Sequence, residues 1–158
     1  MKPSSEIKKN AKNTIAIELA AIEKLKRSIN DNFVNVIELI LAAKGRLIVA
    51  GIGKSANIAN KMVATFNSTG QPAIFLHAAD AIHGDLGNIQ NGDVIICISK
   101  SGNTPEVKVL IPFIKNMGNK IVALTGNTNS FLAKESDFIL DVSVDQEACP
   151  NNLAPTSS

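Results

Sequence analysis

DVIICISKSGNTPEV, residues 93–107, decides the architecture. Val94 to Ile98 is an unbroken apolar run rich in β-branched residues, the composition of a strand covered on both faces. Ser99 to Thr104 is a turn-forming cluster around Gly102. Pro105 and Glu106 then suit the first turn of a helix, where proline's missing N–H has no partner to lose and an acid meets the positive end of the helix dipole. Strand, tight turn and helix follow one another with no spare residues.

The same grammar extends in both directions. Strands are expected at Arg46–Ala50, Ala73–His77, Asp93–Ile98, Lys120–Leu124 and Phe138–Val142. Helices are expected between them near 54–68, 78–84, 105–117 and 129–135. Alternating strands and helices imply right-handed crossovers and an α/β fold, a doubly wound five-stranded parallel sheet flanked by helices. An N-terminal helical segment precedes it. Ile7, Ala11, Ile15, Leu19, Ile22, Leu25 and Ile29 recur at helical spacing over 5–30, and Asn30-Asp31-Asn32 offers a cap for a second helix. That helix carries Phe33, Val36, Ile37, Ile40 and Leu41 on one face and closes at Lys44 and Gly45. We therefore expect one domain over 1–158, with helices to residue 45 and an α/β core over 46–158. The ending Ala154-Pro155-Thr156-Ser157-Ser158 reads as a helix start, so the core is expected to be cut short at its C-terminal side.

Bulk properties exclude several classes. At 158 residues, 45% hydrophobic and 19% charged, the chain can bury one core and is not disordered. Trp and Tyr are absent and the net charge is only +2, which argues against nucleic acid as a partner. No apolar run reaches membrane-spanning length and no signal peptide opens the chain, so a cytoplasmic, reduced setting is expected, with no membrane partner. Cys97 lies in the core strand, and neither it nor Cys149 belongs to a CxxC pair.

Four segments fall at the carboxyl ends of the expected strands, where open parallel sheets bind ligands. Gly51-Ile52-Gly53-Lys54-Ser55-Ala56 follows the first strand. It is not a Walker loop, because Ile48 stands where the first glycine is required. It matches the GxGxxA dinucleotide pattern, but the second strand ends in His77, with Asp80 three residues on, where an acid is expected. It also suits a sugar-phosphate loop, with Ser55 as donor and Lys54 as cation; an ordinary tight turn with Lys54 in solvent is equally open. In the second segment, a simple helix cap explains Thr104, Pro105 and Glu106. It does not explain Ser99 and Ser101, so these hydroxyls are read as phosphate ligands. The third, His77 to Gly87, holds both histidines at a spacing that fits no common zinc site. His83, beside Gly84 and Asp85, suits a proton shuttle. The fourth, Asp145 to Ser158, is on composition a polar loop in which Glu147 is a surface acid.

GIGKSANIANKMVATFNSTG, HGDLG, the pattern SxSGxTxE and EACPxxLAPTSS, in this order from about Leu47 onward, resemble the SIS (sugar isomerase) family, in its arabinose 5-phosphate isomerase branch. The resemblance implies a phosphate site at Ser55, Ser99, Ser101 and Thr104. It implies catalytic roles for Lys54, His83, Glu106 and Glu147, a phosphorylated pentose substrate, no metal, no cofactor and a homo-oligomer. It also implies a further histidine beyond residue 158 and, in many members, a paired CBS module. Aldose–ketose isomerisation moves a proton from C2 to C1 through a cis-enediolate, so it needs a base, here Glu147 or Glu106 with a slight preference for Glu147, and a donor such as Lys54 for the oxyanion. The alternative is a regulatory domain that binds the sugar phosphate without turnover.

Overall fold

The computed structural model describes residues 3–151 and 153–158. Met1, Lys2 and Asn152, which belong to the N-terminal and terminal-loop segments read above, lie outside the described residues. The elements run α1 (Ser4–Leu25), a 3-10 turn (Lys26–Ser28), α2 (Asp31–Ala42), β1 (Leu47–Gly51), α3 (Lys54–Ser68), β2 (Ala73–His77), α4 (Ala78–Ala81), a 3-10 turn (Asp85–Asn88), β3 (Val94–Ile98), α5 (Pro105–Asn116), β4 (Lys120–Thr125), α6 (Phe131–Glu135) and β5 (Phe138–Asp141).

All four strand pairings are parallel and the order is β2-β1-β3-β4-β5. The continuous apolar strands are explained by burial on both sides. Ile48, Ala50, Ile95, Cys97, Ile121 and Ala123 face a core built with α4, α5 and α6. Leu47, Val49, Val94, Ile96, Ile98 and Val122 face a second core with α2 and α3. Cys97 is the expected core thiol, and burial pushes its pKa up to about 12.

The order reverses direction between β1 and β3. The chain leaving β1 turns to the face that carries α3, and the chain leaving β3 turns to the opposite face, which carries α5. Loops that part in this way open a crevice at the strands' carboxyl ends. The Gly51–Ser55 turn and the serine loop therefore start from adjacent strands, with Ala50 in register with Cys97.

The N-terminal helices bury few residues. α1 buries no residue, and Ile7, Ile15, Leu19 and Ile22 are exposed. It runs past the loop after β5, with a hollow between them lined by Ile17, Ala20 and Ala21 against Asp145 and Gln146. In α2, Val36 and Ile40 are buried while Ile37 and Leu41 are exposed, because the helix presents a narrow stripe to the sheet. α2 also ends at Ala42, before Lys44 and Gly45, through an extended residue at Ala43. Gly45 serves the strand instead: its N–H donates to the Gly92 carbonyl at 3.0 Å, and a β-carbon there would run into Asp93.

Asp93 is 2% exposed and anchors this end of the sheet. Its carboxylate accepts from the Arg46 backbone N–H at 2.6 Å, the Gln90 N–H at 2.8 Å and the Arg46 guanidinium at 3.2 Å.

Candidate active site

The Gly51–Ser55 turn passes directly from β1 into α3. Gly53 holds the N-cap position with φ of 60°, and no side chain caps the helix. The start of α3 is thus bare toward the crevice, flanked by an exposed Lys54 and a half-buried Ser55.

The serine loop is held together by its own side chains. Ser99 is 3% exposed and its hydroxyl is used inside the loop. It bonds the Thr104 hydroxyl at 2.8 Å and accepts the Gly102 N–H at 3.1 Å. Thr104 occupies the N-cap of α5, yet its hydroxyl turns to Ser99 and not to the helix, so no side chain caps α5. Ser101 is exposed, and its hydroxyl accepts the Asn103 N–H at 3.2 Å. Two hydroxyls shape the turn, and one stands at its surface.

A cavity of about 530 Å³ opens beside these loops, within the range of small-ligand sites. Ile58, Ile98, Leu124 and Val142 form its apolar wall, and Leu153, Ala154 and Pro155 close one side. Lys54, Ser55, Lys100 and Glu147 are among its polar lining. Lys54, Ser55 and Glu147 were singled out by sequence and come together here from the ends of β1 and β5. Ser99, Ser101, Thr104, His83 and Glu106 do not line this cavity. His83 is exposed on the turn after α4, and Glu106 is half-buried in the first turn of α5.

Glu147 is not the surface acid that composition suggested. It is 7% exposed. One carboxylate oxygen accepts the Thr156 and Ser157 backbone N–H groups, each at 2.8 Å. The other meets the Lys100 ammonium and accepts from the Ser158 hydroxyl. Burying a carboxylate requires this kind of compensation. Lys100 is the residue that sequence reading passed over. Its signal was its place between the two serines, but its partner lies 47 positions on, beyond any local pattern. Partial burial draws the Lys100 pKa below the ordinary lysine value.

Among the described residues no group of His, Cys, Asp and Glu is arranged to hold a metal ion. No helix among them is long and apolar enough to cross a membrane.

A doubly wound sheet with a cation, hydroxyls and a buried carboxylate at its switch point is the layout of an α/β small-molecule site. The SIS domain family matches residues 40–158, and the chain belongs to that family. The arabinose 5-phosphate isomerase KdsD of Pseudomonas aeruginosa is 49% identical over 149 residues, covering 94% of this chain and 46% of the relative. The arabinose 5-phosphate isomerase KpsF of Escherichia coli is 45% identical over 150 residues, again 94% and 46%. The chain thus spans less than half the length of these curated relatives. Among solved structures, the Escherichia coli CFT073 protein c3406 in complex with arabinose 5-phosphate superposes with a TM-score of 0.95 at 37% identity, covering 99% of this chain and 84% of that one. The Vibrio vulnificus NanR protein complexed with ManNAc-6P shares the fold, with a TM-score of 0.75 at 18% identity over 86% of this chain and 52% of that one.

Proposed function

We propose that this chain is the catalytic sugar-phosphate domain of an aldose–ketose isomerase that interconverts D-arabinose 5-phosphate and D-ribulose 5-phosphate. The observation that carries the reading is the cavity at the switch point, where Lys54 and the buried Glu147 line one space beside the serine loop. The similarity to isomerases of that name supports the choice of substrate.

In this reading the phosphate rests against Ser101 and Ser55, with the bare starts of α3 and α5 supplying N–H donors. Ser99 and Thr104 keep the loop in shape. The apolar wall sets the sugar's carbonyl end against the acid. Glu147 takes the proton from C2, and the C1 carbonyl oxygen takes a proton as the cis-enediolate forms. The carbon proton returns at C1 while the C2 oxygen loses its own, so nothing is oxidised or reduced overall. Lys54, in no ion pair among the described residues, stabilises the oxyanion. His83 and Glu106, which lie outside the cavity lining, enter as proton carriers. The exposed apolar face of α1 supports self-association, and the reading carries a cytoplasmic setting.

The test is conversion of arabinose 5-phosphate to the ketose by the intact polypeptide. Glu147→Ala is expected to lower kcat by about 10²–10⁴-fold, the usual contribution of a general base. Ser101→Ala is expected mainly to raise KM. Near-normal turnover in Glu147→Ala removes that residue from the chemistry. Tight sugar-phosphate binding with no turnover by the wild-type protein selects the regulatory alternative.

A further inference from the structure

Lys100 stands between the two serines read as phosphate ligands, and a lysine in that place invites assignment to the phosphate. Its side chain does something else. The Lys100 carbonyl accepts the Gly126 N–H at 3.0 Å and the Thr125 hydroxyl at 3.3 Å, which pins its backbone to the end of β4. From there the ammonium crosses the top of the sheet to the carboxylate of Glu147, in the loop after β5. The side chain of Lys100 is half exposed, whereas that of Glu147 is buried. The Thr156 and Ser157 N–H groups hold the far oxygen, and Lys100 holds the near one.

We propose that Lys100 is a positioning residue, which fixes the orientation of the Glu147 carboxylate in the cavity and does not itself grip the substrate phosphate. A carboxylate on a loop has free torsions of its own, and small displacements of a base from its near-attack position are costly in rate. Gripping both oxygens from opposite sides removes that freedom. The pair is also neutral as a unit, so Lys100 offers little net field to a phosphate. The proposal rests on the reading of Glu147 as the base.

The experiment uses the intact polypeptide with Lys100→Met, which keeps the packed stem and removes the charge, and Lys100→Arg, which keeps the charge. Lys100→Met is expected to lower kcat about 10- to 100-fold while KM for arabinose 5-phosphate stays within about twofold. Lys100→Arg is expected to recover most of the loss. Because Lys100 acts through Glu147, adding Lys100→Met to Glu147→Gln is expected to cost nothing further. A rise in KM with kcat unchanged would overturn the proposal and give Lys100 to the phosphate. Losses that multiply in the double variant would overturn it as well. A second readout does not need turnover: limited proteolysis within 148–158 is expected to speed up in Lys100→Met by more than the fall in global melting temperature from unpairing the buried carboxylate accounts for. If the wild-type protein turns over no phosphopentose, the proposed function fails, whereas proteolysis unaltered by Lys100→Met defeats the positioning role alone.

Discussion

Gly102→Ala is the sharpest probe of the serine loop. Gly102 has φ of 62°, a left-handed conformation that costs an L-residue about 1–2 kcal/mol. Space is the second difficulty. A β-carbon at 102 would overlap both Oγ and Cβ of Ser130 and approach the Thr125 hydroxyl to 3.0 Å. Rotating Ser130 moves its oxygen but leaves its Cβ in place, so the backbone of α6 must shift. That overpacking costs about 1–3 kcal/mol. The shift also disturbs the Ser130 hydroxyl, which caps α6 by accepting the Ala133 N–H at 3.3 Å, and the Gly102 carbonyl, which accepts the Leu132 N–H at 3.0 Å. Together the loss is about 3 kcal/mol or somewhat more, and for a domain of this size that lowers Tm by about 6–12 °C. The chain has no Trp or Tyr, so melting is followed by far-ultraviolet circular dichroism or calorimetry. Adding Ser130→Gly removes the obstructing Cβ at the expense of a few tenths of a kcal/mol in capping, and about half of the stability returns. A Gly102→Ala protein that melts within about 2 °C of wild type, or a double variant with no recovery, refutes the steric argument.

Asp93→Ala strips the acceptor from three donors at a buried site, and urea titration is expected to show a loss of about 3 kcal/mol, with no change in ligand affinity once folded. Asp137 tests pH dependence. Burial alone would raise its pKa, but the Ile121 N–H and the Lys120 ammonium outweigh burial and hold it below the ordinary aspartate value. Its contribution is therefore present above the unfolded value and fades as pH falls through the lowered folded one, so Asp137→Asn is expected to flatten the acid limb of a stability profile below about pH 4. An unchanged acid limb would show that Asp137 adds nothing there.

The sequence alone determined the element types and nearly all their places, because apolar runs, turn formers and cap residues are local signals. Strand ends moved by about one residue, as boundaries do. The family motifs, read in order, named Lys54, Ser55 and Glu147, which the fold then gathers around one cavity. Tertiary structure alone decided the rest. The order β2-β1-β3-β4-β5 depends on which strands pair, and that choice is a property of the whole sheet. It is this order that brings the Gly51–Ser55 turn beside the serine loop. Burial of Glu147 and its capture by Lys100 were equally illegible, since an ion pair across 47 positions leaves no periodic trace in either segment. Ser99 and Thr104 show the same limit from the other side. Their types announced a hydroxyl-rich turn, but only the packed loop could show that they spend their hydroxyls on each other, leaving Ser101 outward.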